Sequence, residues 1–437
     1  MSVPSQKTLD SIPYCRKLET MEEQSVPRDF PRSASKRLLG RRRFLSATAA
    51  LGALVIARPD PMLGAESGIP HELGAPRRPY GYRSPFERYV VRSLSHGQRP
   101  ATGSAHTPLQ DLYGIITPSA LHFERLHSGV PMINPARHEL MVHGLVDRPL
   151  IFTMEDLERM PSASRIHFIE CAGDSGGEQD GYPGSTPEES HGLLSCSEWT
   201  GVPLSILLEQ TGLKPSARWV LAEGADACRM ARSLPLKKAL EDIIVAYGQN
   251  GEALRPEQGY PVRLVVPGWE GNVNVKWLHR LQVLDQPAMT AWETAWYTDL
   301  LPDGKARQFT FVMEAKSVIT RPAGGQRLDG PGFYEITGLA WSGLGKIADV
   351  EISTDSGKSW QKAESQGPIQ TKAFTRFRLP WNWNGSETTI ASRCTDETGY
   401  CQPTREQIIA ARGLNATDHY NGIKWWRIRT TGEITHA

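Results

Sequence analysis

The segment with the clearest chemical potential is residues 166–177, Ile-His-Phe-Ile-Glu-Cys-Ala-Gly-Asp-Ser-Gly-Gly. An apolar run typical of a β-strand ends at Cys171, and a glycine-rich turn follows it. A thiolate at a strand end can face a cleft and is a soft ligand for a redox metal, while glycines let a bulky cofactor approach the backbone. Taken alone, the segment still favours an ordinary buried thiol, because free cysteine is among the most buried residue types.

Other parts of the sequence combine charged, aromatic and turn-forming residues. They are residues 123–131 (Phe-Glu-Arg-Leu-His-Ser-Gly-Val-Pro), 223–226 (Glu-Gly-Ala-Asp), 259–263 (Gly-Tyr-Pro-Val-Arg), 271–278 (Gly-Asn-Val-Asn-Val-Lys-Trp-Leu) and Tyr297. Each alone has an ordinary structural interpretation, such as a surface charge, a turn former or a packed aromatic ring. Together with Cys171-Ala-Gly, and in this order, they resemble the sulfite oxidase family of molybdopterin enzymes over about residues 105–430.

This resemblance implies a molybdenum centre held by one protein thiolate. Cys171 would ligate the metal beside the dithiolene sulfurs of the pterin, Arg125 would lie at the substrate anion, and Tyr297 would hydrogen-bond an oxygen ligand of the metal. The implied cofactor contacts are Phe123, Glu124, Arg125, Leu126, His127, Asp226, Arg263, Asn274, Val275 and Lys276. The chemistry is consistent, since a cofactor phosphate favours Arg and Lys together with backbone donors.

Several positions depart from the family pattern. Ser175 and Gly176 stand where ordinary sulfite oxidases have two arginines, so one of the cations that hold the substrate anion is missing. Gln258, Val273 and Asn274 replace His, Arg and His, and Asp174 replaces Asn. A small free sulfite ion would therefore be held less firmly.

Residues 79–88, 109–118 and 143–149 resemble a narrower group, the molybdenum subunit SoxC of the bacterial Sox sulfur-oxidation complex, called sulfite or sulfane dehydrogenase. That resemblance implies oxidation of sulfane sulfur on a carrier protein's cysteine arm, or of sulfite, with electrons passed to a separate c-type cytochrome. Alternatives are a free sulfite dehydrogenase, a reductase running the chemistry backwards, and a cofactor-free binding or assembly module. Joint retention of Cys171, Arg125 and Lys276 argues against the last.

The surrounding elements predict an α+β fold, with a sulfite-oxidase-type mixed α+β molybdopterin-binding domain followed by an immunoglobulin-like β-sandwich. Residues 66–105, rich in Pro, Gly and Arg, predict an extended arm. Residues 106–305 predict the catalytic domain, with strands at 138–146 and 262–267 and a helix at 203–211. Residues 310–430 predict a sandwich, with strands at 334–341, 347–353, 374–379 and 388–392. In the family this domain mediates homodimerisation; the alternative is a sandwich that packs only on its own catalytic domain.

Residues 1–65 predict an export signal. Gly-Arg-Arg-Arg-Phe-Leu-Ser (residues 40–46) leads into an apolar run from Phe44 to Ala57, which is too short for a membrane span but suits a signal segment. The pattern resembles a twin-arginine export signal, which predicts a periplasmic protein with no membrane span in the mature chain.

Composition narrows the function classes. The chain has 437 residues, 39% of them hydrophobic, which is enough for two or three domains. Beyond residue 65 it carries 38 Lys and Arg against 42 Asp and Glu, so nothing suggests nucleic-acid binding. The six cysteines form no Cys-x-x-Cys-His motif, which predicts no covalently attached haem. Cys394 and Cys401 are close enough to form a disulfide, although two ordinary thiols are an equal alternative.

Overall fold

The computed structural model of the protein describes residues 73–74, 76–95 and 101–437, so the predicted signal region at 1–65 lies outside the described residues. Residues 80–437 form one compact unit. Its first part, residues 80–92, is mostly exposed and irregular apart from a short 3-10 turn at Pro85–Glu87.

The first half of this unit is a mixture of short helices and strands. The strands are β1 (Ser93–Leu94), β2 (Gly103–His106), β3 (Glu124–Leu126), β4 (Glu139–Gly144), β5 (Leu150–Thr153), β6 (Ala163–Glu170), β7 (Leu194–Pro203), β8 (Trp219–Gly224), β9 (Ala231–Pro235), β10 (Ile244–Gln249), β11 (Glu252–Ala253), β12 (Arg263–Val265), β13 (Leu278–Leu284), β14 (Thr298–Leu300) and β15 (Ala306–Gln308). The helices are α1 (Met154–Arg159), α2 (Gly176–Asp180), α3 (Pro187–His191), α4 (Leu204–Thr211) and α5 (Leu236–Glu241).

Two five-stranded sheets and their helices enclose the core of this half. One sheet has the order β11-β10-β7-β6, with β12 also paired to β10; the other has the order β5-β4-β13-β8-β9, in which β13 and β4 are parallel. Buried apolar side chains from both sheets meet α4 between them, among them Leu140, Val202, Leu207 and Leu281. Burial of such side chains is the main stabilising contribution to a domain of this kind.

Local sequence signals explain where α4 begins and ends. Pro203 occupies the N-cap, where its missing N–H costs nothing, and Gly212 ends the helix with φ 69°, a conformation that favours glycine. The helix predicted at 203–211 is therefore confirmed within one residue, and the strand predicted at 138–146 contains β4, which ends two residues earlier, at Gly144.

The end of the arm predicted at residues 66–105 is not irregular, because it contains two short strands. β1 and β2 pair with each other, and β2 also pairs with β3 to form a three-stranded antiparallel sheet. In this sheet Ser104 lies opposite Arg125. The chain before residue 106 therefore supports a strand that carries a predicted site residue.

The second half is a β-sandwich with one helix. Its strands are β16 (Lys316–Arg321), β17 (Gly332–Trp341), β18 (Ile347–Ser353), β19 (Gln361–Lys362), β20 (Glu364–Gln366), β21 (Thr375–Trp383), β22 (Thr388–Asp396), β23 (Trp425–Ile428) and β24 (Ile434–His436), and its helix is α6 (Arg405–Arg412). The sheets β16-β17-β21-β20 and β19-β18-β22-β23-β24 enclose a core that includes Ile336, Phe377, Ile390 and Trp426. The predicted fold class, with an immunoglobulin-like sandwich after the α+β domain, is confirmed.

A third core joins the two halves. Phe168 and Leu194 of the first half pack with Trp341 and Phe374 of the second. Within the described residues, the helices are too short or too polar to cross a membrane.

The register of β22 decides the arrangement of two cysteines. Thr395 bridges Cys401, while the Cys394 carbonyl accepts a hydrogen bond from the Gln402 N–H, 2.9 Å away. Neighbouring residues of a strand face opposite sides, so the buried Cys394 and the exposed Cys401 point apart. Both are free thiols in the structure.

Candidate active site

Cys171 lies directly after β6, where the strand passes into a tight turn. Its N–H donates to the Leu193 carbonyl (2.9 Å) and its carbonyl accepts from the Asp174 N–H (2.9 Å), so the backbone on both sides is fixed. Gly271 approaches so closely that a Cβ there would lie 2.9 Å from the Glu170 carbonyl oxygen. Burial is the main reason that the pKa of the Cys171 thiol rises to about 12; a bound metal would displace that proton.

Arg125 on β3 brings a cation to the same cleft. Its guanidinium donates to the carbonyls of Leu126 (2.5 Å) and Gly103 (3.4 Å). These partners are uncharged backbone groups, so the positive charge stays available for an anion.

Tyr297 follows a π-helical turn, Trp292–Trp296, and its N–H donates to the Trp292 carbonyl. Its hydroxyl lies 3.5 Å from Nε2 of His127, whose ring is 4.9 Å from that of Trp292. Burial raises the pKa of Tyr297 above its ordinary value and lowers that of His127 to about 4. At neutral pH the phenol is therefore protonated and can donate a hydrogen bond, and the imidazole is neutral.

Arg263 and Lys276 form a cationic cradle. The buried Arg263 guanidinium donates to three carbonyls, those of Leu264, Gln258 and Asn274. Nζ of Lys276 donates to the carbonyls of Arg125 (3.3 Å) and Glu257 (3.0 Å). Burial lowers the pKa of Arg263 to about 9, and burial followed by the charge of Arg263 lowers that of Lys276 to about 7. Two cations without a bonded carboxylate favour an anionic group between them.

His122 is a site residue that sequence reasoning missed. It is buried beside the cleft, with Nδ1 3.1 Å from the Phe123 carbonyl, so Nδ1 carries the proton. Nε2 has no hydrogen-bond partner among the described residues, and burial lowers the pKa of His122 to about 3. The ring thus offers one unused acceptor, which suits an N–H of a bound ring system. Its only sequence signal is its place next to Phe123.

Two residues that replace family histidines brace the pocket wall. The Gln258 amide donates to the Phe123 carbonyl (2.9 Å). The Asn274 side chain accepts from the Val266 N–H (2.7 Å) and donates to the Glu270 carbonyl (3.0 Å). Because its side-chain amide is committed to these bonds, Asn274 acts on the pocket through its backbone, whose carbonyl holds Arg263.

A buried ion network under Tyr297 was also missed. Nη2 of Arg232 lies 3.0 Å from Glu270 and its Nε lies 3.8 Å from Glu293. The guanidinium carbon is 4.9 Å from the centre of the Tyr297 ring, which is a cation–π distance. His419, from the second half of the chain, lies 3.1 Å from the other oxygen of Glu270. No short motif contains these residues, so no local pattern could have predicted the network.

Most of the predicted site residues, together with His122 and Gln258, line one pocket, whose empty space is about 680 Å³ when the part open to solvent is included. The predicted site residues that line it are Cys171, Arg125, Tyr297, Phe123, Leu126, His127, Asp226, Arg263, Asn274, Val275 and Lys276. Glu124, which was also predicted as a cofactor contact, is not among the residues that line the pocket, and its carboxylate pairs with Arg92 at 2.5 Å. Adjacent residues of a strand face opposite sides, which turns Glu124 away from Arg125.

The pocket fits molybdopterin. Arg263 and Lys276 would hold its phosphate, His122 would accept from its ring, and Cys171 would reach the metal. The described residues contain no group of three or more His, Cys, Asp or Glu that could hold a metal ion by itself. Molybdopterin would supply further sulfur ligands to a metal at Cys171.

Comparison with known proteins agrees with this geometry. A family model described as "oxidoreductase molybdopterin binding domain" matches residues 127–292, and one described as "Mo-co oxidoreductase dimerisation domain" matches residues 307–428. The crystal structure of the sulfane dehydrogenase SoxCD from Paracoccus pantotrophus is similar, with 44% identity and a TM-score of 0.83, over 87% of this chain and 99% of that one.

The chain matches only part of the length of its curated relatives. Mitochondrial sulfite oxidase of Drosophila melanogaster is 33% identical over 70% of this chain and 58% of that protein. An NADH nitrate reductase of Arabidopsis thaliana is 31% identical over 76% of this chain and 40% of that protein. The chain thus spans about half the length of these relatives.

Proposed function

Because the chain belongs to the sulfite oxidase family of molybdopterin oxidoreductases, close to the SoxC type, we propose that it oxidises sulfur compounds. The substrate is sulfane sulfur bound to a carrier protein, or sulfite, and the electrons pass to a c-type cytochrome. The observation that carries this proposal is the convergence of Cys171, Arg125 and Tyr297 on one pocket with the Arg263–Lys276 cradle.

Some of these residues act on the cofactor and others act on the substrate. When bound, molybdopterin with its metal would supply a two-electron acceptor for the oxidation of the sulfur by water, in which the water releases two protons. Cys171 would hold the metal as a thiolate. Arg125 orients an anionic or polar sulfur group, and the Tyr297 hydroxyl donates a hydrogen bond beside it.

A second candidate is a free sulfite dehydrogenase. Arg125 favours it, because a guanidinium bonded only to carbonyls can hold a small oxyanion. The sequence departure at Ser175 and Gly176 disfavours it, since one cation of the ordinary sulfite oxidase site is missing.

We propose further that the protein is exported to the periplasm by the twin-arginine route and forms a homodimer. The paired arginines and apolar run of residues 41–57 support the first proposal. The match of residues 307–428 to a dimerisation domain supports the second.

The test combines metal analysis with turnover. Molybdenum is measured in the purified exported protein, in Cys171→Ser and in Cys401→Ser, an exposed thiol outside the pocket that serves as a matched control. We expect stoichiometric metal and cytochrome c reduction in the wild type and the control, and loss of turnover in Cys171→Ser.

Substrates separate the two candidates. Faster reduction with a persulfide than with sulfite supports the carrier-bound substrate, and brisk turnover of sulfite supports the free sulfite dehydrogenase. Properly matured wild-type protein without molybdenum would contradict both.

A further inference from the structure

The second half of the chain supplies a wall next to Cys171. We call residues 413–419 the cover segment. The His419 N–H donates to the carbonyl of Ala172, the residue after Cys171, at 2.8 Å. The Gln179 amide holds the carbonyls of Gly413 (2.9 Å) and Leu414 (3.1 Å). The cover segment is therefore bonded at both ends to the chain that follows the metal-binding cysteine.

The cover segment closes the space that a cation at position 176 would need. A Cβ on Gly176 would lie 3.2 Å from the Thr417 carbonyl oxygen and 3.7 Å from the Thr417 Cβ. A long basic side chain there would have to displace the cover segment. The nearby backbone of Thr417 therefore leaves room for a glycine at position 176 but not for a longer side chain.

Position 175 also cannot present a side chain to substrate. Ser175 has a left-handed backbone, with φ 64°. Its hydroxyl donates to the Ser190 carbonyl at 2.6 Å, and the residue is buried. The side chain points into the protein interior, so the missing arginines are not replaced at either position.

Instead of a cation, the cover segment brings a carboxylate. Oδ1 of Asp418 lies 3.9 Å from the Cβ position of Gly173, two residues after Cys171. A partly buried negative charge at this point, so close along the chain to Cys171, opposes the approach of an anion.

We propose that Asp418 is a specificity-determining residue, which disfavours a free dianion at the metal and favours a sulfur group of lower negative charge. The inference rests on the proposed function and refines its substrate class. A terminal sulfur atom attached to a larger molecule carries at most one negative charge, whereas sulfite and sulfate carry two at pH 8. The carboxylate therefore discriminates by repulsion, while Arg125 remains sufficient for a single charge.

The test uses the molybdenum-loaded protein and two kinds of readout. Sulfate, which is not turned over, is titrated into wild type and Asp418→Asn by calorimetry at pH 8. We expect sulfate to bind about tenfold more tightly to Asp418→Asn, the effect of removing one nearby like charge. KM for sulfite should fall similarly with little change in kcat, while KM for glutathione persulfide changes less than about twofold.

Controls separate charge from structure. Asp418→Glu keeps the charge and should retain weak sulfate binding, and Asp329→Asn removes an exposed carboxylate that lies outside the cover segment. If Asp418→Asn does not load molybdenum, Asp418→Ser is used in its place. Unchanged sulfate affinity and sulfite KM in the neutral variants would overturn the inference.

Failure of the inference about Asp418 can be distinguished from failure of the proposed function. A wild type without molybdenum and without turnover of any sulfur substrate would overturn the proposed function. Normal loading and turnover, with the same sulfate affinity in all variants, would overturn only the role of Asp418.

Discussion

The ammonium group of Lys316 lies 2.8 Å from Oε1 of Glu170, the residue that precedes Cys171. The same ammonium lies 3.3 Å from Oδ2 of Asp174, and the Trp341 indole N–H donates to Glu170 Oε2 at 2.7 Å. Burial raises the pKa of Glu170 to about 7, although Lys316 opposes that rise. Strands β16 and β17 of the sandwich therefore hold the residues on both sides of Cys171 in place, and the second half of the chain supports the active site from outside the pocket.

The first prediction concerns this buried pair. Lys316→Met removes the only ammonium bonded to Glu170 and Asp174 among the described residues. We expect the free energy of unfolding to fall by about 3–5 kcal/mol, because two buried carboxyls lose their partner. Lys362→Met, in an exposed pair with Asp349, should cost about 0–1 kcal/mol. Chemical denaturation measures both, and equal small effects would contradict the prediction.

The second prediction concerns the cradle. Lys276→Met should weaken retention of the cofactor and yet stabilise the cofactor-free protein, because it removes a poorly solvated charge. In the folded protein the pKa of Lys276 is lowered from 10.5 to about 7. Cofactor-free wild type should therefore lose stability as the pH falls from about 10.5 to about 7, and Lys276→Met should lose less.

The measurement is thermal unfolding across this pH range, on protein from a host that makes no molybdopterin. Lys346→Met, a lysine outside the pocket lining, is the control. The same pH dependence in Lys276→Met and wild type would show that the lysine is not desolvated in the folded state.

The third prediction concerns His122. His122→Phe keeps a ring of similar size but removes the free acceptor Nε2. We expect the purified protein to contain less bound pterin, measured after its release from the protein, because one neutral hydrogen bond contributes about 0.5–1.5 kcal/mol. His122→Gln, which restores an acceptor oxygen, should recover part of the loss. Equal cofactor content in wild type and His122→Phe would argue that the ring only fills space.

The fourth prediction concerns pH and the His419–Glu270 pair. Burial alone would lower the pKa of His419, but its hydrogen bond to Glu270 raises the pKa above 6.5. A raised pKa means that the pair stabilises the fold fully below about pH 6.5 and that this contribution is lost as the pH rises through the folded pKa. The stability difference between wild type and His419→Gln should shrink over that interval in thermal unfolding. A constant difference from pH 6 to pH 9 would show that His419 does not titrate.

Part of the site follows from residues that are neighbours in the sequence. The strand ending at Cys171 and the helix before Gly212 were predicted from apolar spacing, turn residues and caps, which are local properties of the chain. The family motifs also located the cradle, because Arg263 and Lys276 lie in short segments whose residue types are set by the group they hold.

Other features needed the folded chain. Glu124 belongs to the same motif as Arg125, but strand alternation directs it to Arg92. Cys394 and Cys401 were close enough in sequence to bond, and the register between them places the two thiols on opposite faces.

The sequence by itself determined the order of the elements, because periodicity and turn residues are recorded along the chain, and it indicated the family through the resemblance of its motifs. Only the tertiary structure decided that Lys316 supports Glu170, that Arg232 lies against Tyr297 and that the cover segment brings Asp418 beside Gly173. These contacts join segments that are far apart in sequence. Burial and electrostatic pairing depend on distance in space, which no local pattern encodes.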